Sequence, residues 1–322
     1  MAINENKYFI YDKPHDKRLV WGVKKGLNFI HNLYYKLVFN IIKPNILNNK
    51  KYKVSICAIF RDEADYLREW IEFHRIVGVE HFYLYNNFSQ DQYLEILQPY
   101  IHSGIVTLID WPIKQGQMSA YDDFFKKYSS ETEWVGLIDL DEYLVINQRS
   151  TIYEFLEQFR NRPAVIFYWK VFGSSGKIHR DNSNLVTEDF VVCYRKFVDI
   201  GKFFFNTNYE YYSEYKHNNA MHLSWAKCKG VALPPVNVFD KVCTLSCNPV
   251  VSSEMPAQIN HYLIKSFDEY IDKKSKRGGG VHDISMHNMD YFFRSESSCQ
   301  SVDYSAYKYL IKLKLALGKK DE

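Results

Sequence analysis

Three acids, Asp139, Asp141 and Glu142, close an apolar run in the stretch EWVGLIDLDEYLVI. A buried strand has no use for carboxylates, so three of them at its end call for a cation or a proton close by. In an extended chain Asp139 and Asp141 point the same way, with Cα atoms about 6–7 Å apart. A hydrated Mn2+ or Mg2+ fits between such carboxylates and keeps positions open for phosphate oxygens. The plainer alternative is a cap, because aspartate at a strand end can also satisfy the amides of a following helix.

The elements that would position these acids follow from the hydrophobic rhythm. YKVSICAIF, EHFYLYNN, GIVTLIDW and EWVGLIDL read as strands, and ADYLREWIEFHRIVG, DQYLEILQPYI and GQMSAYDDFFKKY read as the helices between them. Alternation at this spacing predicts an α/β fold, a doubly wound and mostly parallel sheet whose ligands bind at the carboxyl ends of the strands. The four predicted strand ends carry Phe60-Arg61-Asp62-Glu63, Asn86-Asn87, Asp110-Trp111 and Asp139-Leu140-Asp141. No GxGxxG or GxxxxGK[ST] follows the first strand, so neither a dinucleotide nor a P-loop site is expected. After Ser150 the pattern loosens: AVIFYWKVFGSSG and DFVVCYRKFVDIG read as strands, and INHYLIKSFDEYIDKKSKRGGG as a short strand, a helix and a loop.

Charge is distributed unevenly. Residues 1–53 carry eleven Lys/Arg against three Asp/Glu, and residues 304–322 carry five against two, which leaves the body at −8 within a net charge of +3. A basic rim on an acidic body argues against a nucleic-acid binder and fits docking on an anionic membrane surface. In KKGLNFIHNLYYKLVFNIIKP, Leu27, Ile30, Leu33, Leu37 and Ile41 recur at helical spacing before Pro44. That helix either packs on the body or lies on lipid, and YKYLIKLKLALGKK offers the same two readings. No apolar run reaches the roughly 20 residues needed to span a bilayer. Six scattered cysteines without zinc-site spacing, and a start that lacks a secretory leader, predict reduced thiols in the cytoplasm, with the protein peripheral at the inner face of the plasma membrane. The expected divisions are a basic extension (1–50), a central domain (51–290, with a nucleotide half 51–150 and an acceptor half 151–290) and a basic tail (291–322).

Five ordered blocks, RDEADYLREWIEFHRIVGVEHFYLYNNFSQD, QPYIHSGIVTLIDWP, WVGLIDLDEYLV, FYWKVFGSSG and NHYLIKSFDEYIDKKSKRGG, resemble glycosyltransferase family 92 and related family 2-like enzymes of bacterial surface-polysaccharide clusters. The resemblance covers about residues 52–280. It implies a GT-A fold, a nucleotide-sugar donor (usually a UDP-sugar), Mn2+ or Mg2+, and inversion at the anomeric carbon. Carried over by position, Asp139 and Asp141 match the family's metal- and ribose-contacting motif. Arg61, Asp62 and Glu63 match the nucleoside-contacting segment, with Asp62 where Asn is usual. Asn87 and Asp91 match a turn beside the donor, and Gln117 and Tyr121 open the helix facing the nucleotide. His261, Tyr262 and Lys265 match a His-Tyr…Lys-Ser signature, which implies His261 as a third metal ligand and Lys265 on the leaving diphosphate. Lys273 and Arg277 precede three glycines in a segment able to close over the donor.

An inverting transfer also needs a base for the acceptor hydroxyl. Glu188, at the position of a family Glu, is the first choice, with Asp181 and Asp189 in reserve. Trp169, Phe172, Ser174 and Ser175 lie around the Gly-Ser loop where a saccharide or lipid-linked saccharide acceptor would bind, although a buried pair is the first reading of Trp169 and Phe172. Two rivals stay open. GLIDLDEYL resembles the DxD opening of haloacid-dehalogenase phosphatases, with Asp139 as nucleophile and Asp141 as general acid. The other rival is a non-catalytic nucleotide-sugar-binding relative.

Overall fold

The computed structural model describes residues 9–10, 18–46, 49–212, 222–245, 247–248, 254–274 and 287–318. The expected α/β architecture is present. Strands β1 (Tyr52–Phe60), β2 (His81–Asn86), β3 (Val106–Asp110) and β4 (Thr132–Leu137) are parallel neighbours. Helices α2 (Ala64–Val77), α3 (Tyr93–His102) and α4 (Gln117–Lys127) connect them. The strands form because their runs are mostly apolar and β-branched or aromatic, and α2 covers one face with Leu67, Trp70 and Ile71, all fully buried. Its stop is Gly78 at φ 105°, a conformation that costs glycine little.

The second half of the sheet is mixed rather than parallel. After β4 come β5 (Glu142–Ile146), β6 (Ala164–Val171), β7 (Gly201–Asn206) and β8 (Ala257–His261), in the spatial order β3-β2-β1-β4-β7-β6-β8-β5. Two strands depart from the sequence expectation. EYLVI forms a strand of its own beyond the acids. The strand expected over DFVVCYRKFVDIG gives only short pieces, Val192–Tyr194 and Phe197–Val198, while the central strand starts at Gly201, where that expectation ended. Gly201 has to be glycine, since a Cβ there would stand 1.7 Å from the Phe167 carbonyl oxygen on β6.

This order forces curvature. β4 and β5 lie four places apart, about 19 Å in a flat sheet at 4.8 Å per strand. Only Ile138–Asp141 joins them, and from Leu137 to Glu142 five residue steps reach roughly 18 Å even when fully extended. The link is also folded into a turn, with the Glu142 amide donating to the Asp139 carbonyl at 3.1 Å. The sheet therefore curls, and the acids sit where its two ends approach each other.

Among the described residues β5 pairs with β8 alone, so its other edge needs covering. Trp70 Nε1 donates to the Glu142 carbonyl at 2.9 Å, the Leu144 amide donates to His74 Nε2 at 3.2 Å, and the Ile146 amide donates to the Tyr309 hydroxyl at 3.1 Å. α2 and the C-terminal segment thus close the edge that carries the acids. That segment ends in α8 (Leu310–Ala316), the last helix after α5 (Ile152–Glu157), α6 (Val186–Asp189) and α7 (Met289–Ser298), and it buries Leu313.

Helix α1 (Arg18–Ile41) docks on the body through Tyr35, Val38 and Phe39, with His31 and Lys36 bonded to Thr244 and Asp240. The stripe Leu27, Ile30, Leu33, Leu37 and Ile41 picked out by periodicity is the opposite, exposed face, and Leu37 is 64 % exposed.

His74 sets a pH limit on this arrangement. Its Nδ1 is 2.8 Å from the Trp70 carbonyl and Nε2 accepts from Leu144, so the ring is neutral with its proton on Nδ1. Burial lowers its pKa from 6.5 to about 3. Between those values the unfolded chain binds a proton that the folded chain refuses, so stability is present above pH 6.5 and falls as pH falls. Urea unfolding should show about 2 kcal/mol less stability from this group at about pH 5 than at about pH 7. A His74→Gln chain should lack that part of the slope, and an unchanged slope would refute the assignment.

Candidate active site

The turn Asp139-Leu140-Asp141-Glu142 is locked by its own groups before any ligand arrives. The Asp139 amide donates to Glu142 Oε2 at 3.0 Å, and Trp70 Nε1 donates to the carbonyls of both Asp139 and Glu142. The Asp141 carbonyl accepts the Tyr262 amide at 2.8 Å, which ties the turn to the end of β8. Glu142 points inward and is fully buried, and burial pushes its carboxyl well above the usual carboxylate range.

The cation that the acids call for belongs to the chain itself. Lys202 on β7 is fully buried, and its Nζ lies 2.7 Å from Asp139 Oδ2 and 4.0 Å from Glu142 Oε2. Burial works against the ammonium, yet Asp139 and Glu142 raise its pKa above the ordinary lysine value. The other oxygen of Asp139 accepts from Gln117 Nε2 at 2.9 Å and from the Tyr121 hydroxyl at 3.5 Å. Sequence reasoning brought Asp139, Gln117 and Tyr121 to one place and missed Lys202. Its signal was visible, because a lone lysine ahead of Phe203-Phe204-Phe205 is costly in a buried strand unless paired.

A second cluster adjoins the first. Asp141, Glu142 and His261 each offer a ligand atom, and these atoms lie within 4.8 Å of one another. His261 Nε2 is 3.6 Å from Asp141 Oδ2. Two buried atoms, Glu142 Oε1 and His261 Nδ1, have no hydrogen-bond partner among the described residues. Two carboxylates and an imidazole, with Glu142 Oε1 unpartnered, fit a divalent cation, whose charge would favour the ionised form of Glu142. Of the expected ligands, Asp141 and His261 meet here, Glu142 joins them, and Asp139 is engaged by Lys202. Trp169 packs on His261 at 4.6 Å between ring centroids and on His222 at 4.9 Å. Burial lowers the His222 pKa to about 4.

A basic patch borders the first strand end. Lys265, at φ 51°, places Nζ 3.1 Å from the Tyr66 ring centroid and 3.9 Å from Glu63 Oε2. Lys273 and Arg180 face the same ring at 4.4 and 5.0 Å. Burial lowers the Lys265 pKa to about 8, partly offset by Glu63. Arg180 Nε and Nη1 have no hydrogen-bond partner among the described residues. Asp62, at φ 52°, joins this end to the next: its amide donates to Ser89 Oγ and its carboxylate accepts the Gln90 amide. Arg61 is half exposed beside Asp62, and Asp91 accepts the Ala64 amide at the start of α2. Asn87 donates to the Trp111 and Ile113 carbonyls, a turn-holding role.

Other sequence candidates are placed elsewhere. Glu188, on α6, pairs with Lys314 at 3.0 Å, and its carbonyl accepts from Tyr307. Asp181 accepts the Ser183 amide and Asp189 pairs with Lys177 at 2.8 Å. The partners named here for these three lie outside the acidic turn. Ser174 and Ser175 brace their own loop: the Ser174 amide donates to Glu296, and Ser175 Oγ accepts the Val191 and Val192 amides. Phe172 is buried against Tyr262. Arg277 lies outside the described residues.

Comparison with known proteins bears on the whole arrangement. The chain is 31% identical over 117 residues to a glycosyltransferase family 92 protein of Oryza sativa subsp. japonica, a match covering 36% of this chain and 20% of that protein. A family 92 protein of Arabidopsis thaliana is 30% identical over 107 residues, covering 32% and 18%. The matched stretch thus spans about a fifth of these relatives. Among solved structures, Staphylococcus aureus TarS 1–349 is similar at a TM-score of 0.33 and 13% identity, over 48% of this chain and 47% of that one. Its complex with UDP-GlcNAc gives 0.31 and 16%, over 40% and 37%. The profile of glycosyltransferase family 92 matches residues 50–222, from the start of β1 past the Lys202 strand. That match spans more than half of the 322 residues and takes in the whole acidic turn, and on it the chain belongs to glycosyltransferase family 92.

Proposed function

We propose that the chain is a metal-dependent, inverting glycosyltransferase that moves a sugar, a hexose in this reading, from a UDP-sugar to a saccharide acceptor of a cell-surface glycan. The observation that carries this reading is the cluster of Asp141, Glu142 and His261, with the buried Glu142 Oε1 lacking a hydrogen-bond partner among the described residues, beside an acidic turn at the end of β4. Those three residues would hold Mn2+ or Mg2+. When bound, the cation neutralises the charge that builds on the departing nucleoside diphosphate. Lys265, with Lys273 and Arg180 around Tyr66, supplies further positive charge for the diphosphate. Asp62 and Glu63 at the end of β1 shape the nucleoside side. Trp169 presents a ring edge and an Nε1 with no partner among the described residues, which suits a sugar hydroxyl on the acceptor side.

The direct test is a panel of UDP-, GDP- and CMP-sugars scored for nucleotide release with and without Mn2+. UDP should appear only with the metal, and Asp141→Asn should lower release by at least ~100-fold. Metal-independent hydrolysis of simple phosphate esters would instead move the assignment to a phosphatase, and UDP binding without turnover would indicate a binding protein.

Lys265 gives the reading a pH signature. An anion favours the charged ammonium, so UDP binding should weaken once pH rises past about 8, by up to tenfold per unit. Glu63, Glu269, Asp141 and Lys273 also face this group. Lys265→Met should bind weakly at every pH, and a wild-type affinity that does not change above pH 8 would count against the role.

The exposed stripe of α1 suits an anionic membrane surface, because no Asp or Glu occurs between Asp16 and Asp62. No helix among the described residues is long and apolar enough to cross a membrane. The protein should sediment with vesicles rich in phosphatidylglycerol and stay in solution with neutral ones, and Leu33→Glu with Leu37→Glu should abolish the difference. Equal binding to both vesicle types would refute an electrostatic surface role.

A further inference from the structure

The proposed reaction leaves the fully buried Lys202 without a task. Lys202 is fully buried on a strand whose neighbours are Gly201 and three phenylalanines, and Nζ meets Asp139 Oδ2 at 2.7 Å. Asp139 is engaged on every side. Its second carboxylate oxygen takes Gln117 and Tyr121, its amide donates to Glu142, and its carbonyl accepts Trp70 and the Glu142 amide. The contrast is with Glu142 Oε1 and His261 Nδ1 next door, which have no hydrogen-bond partner among the described residues. One end of the turn is saturated by donors from α4 and β7, and the other carries the unpartnered carboxylate oxygen of Glu142.

We propose that Lys202 is the resident counter-ion of Asp139: it withdraws that carboxylate from the shell of the divalent cation, and the cation is held by Asp141, Glu142 and His261. This inference rests on the metal-dependent reading above and assigns Asp139 a positioning role within it. With Asp139 cancelled by Lys202, the two remaining carboxylates match a divalent ion charge for charge. Without the lysine, three carboxylates would crowd one turn, and a rigid site would over-attract any cation. Lys202 also holds β7 to the turn, so the strand opposite Gly136 and the cation site are fixed by the same contact.

The experiment is Mn2+ uptake by the full chain in the presence of UDP, read from the loss of the free Mn2+ signal in electron paramagnetic resonance, with thermal melts run alongside. Removing the pair together, D139N/K202M, should leave Mn2+ affinity within about threefold of wild type, whereas D141N should weaken it more than ~100-fold. K202M alone should tighten Mn2+ at least ~10-fold, because it strips a positive charge from the site. Should the double variant melt too early to measure, E142Q and D139N supply the comparison, and E142Q should cost the larger factor. Loss of Mn2+ in D139N/K202M, or a larger loss in D139N than in E142Q, makes Asp139 a ligand and overturns the inference while leaving the metal-dependent transfer standing. A wild-type chain that takes up no Mn2+ overturns both the inference and the metal dependence, and the sugar panel then decides the transfer independently.

Discussion

A lysine ammonium buried among phenylalanines and three carboxylates on one four-residue turn would each be intolerable alone. Lys202 and Asp139 neutralise one another, and the rest of the site depends on that pair. Lys202 stands 2.7 Å from Asp139, with Glu142 fully buried behind it. Removing Asp139 would leave the fully buried ammonium uncompensated, at a cost of about 3–5 kcal/mol. The turn therefore tolerates a concentration of negative charge only because β7 delivers a positive one from the other half of the sheet.

That delivery depends on the curl. β4 and β5 are consecutive in sequence and four places apart in the sheet, so a short link can join them only when the sheet wraps round on itself. Gly201 lets β7 lie close against β6, and this sets the position of the next residue, Lys202. α2 then seals the outer edge through Trp70 and His74, and the C-terminal segment does so through Tyr309. Residues far from the chemistry thus decide where Asp141 and His261 meet.

The two clusters have different electrostatic characters. Around Asp139 every polar atom has a partner, which gives rigidity. Next to it Glu142 Oε1 and His261 Nδ1, and farther off Arg180 Nε, are buried without a hydrogen-bond partner among the described residues. Such atoms are rare in folded proteins because each costs desolvation without return, and they are expected where a ligand completes the set. The pattern separates the part of the turn that is scaffold from the part that receives charge from outside.

Much of the site was legible in the amino-acid order. Apolar runs alternating with helical patterning located the parallel half of the sheet, and strand ends rich in Asp, Asn and Arg located the side where function gathers. The ordered blocks pointed to the family. Local pattern could not reveal that EYLVI leaves the neighbourhood of EWVGLI to become the far edge of the sheet. It could not show that Lys202 answers Asp139, that Glu188 is taken by Lys314, or that the apolar stripe of α1 faces outward. The physical reason is range. Patterning reports which side of an element is apolar, through interactions three or four residues apart. The pairing of Lys202 with Asp139 spans 63 positions and is decided by which strands become neighbours when the whole sheet closes.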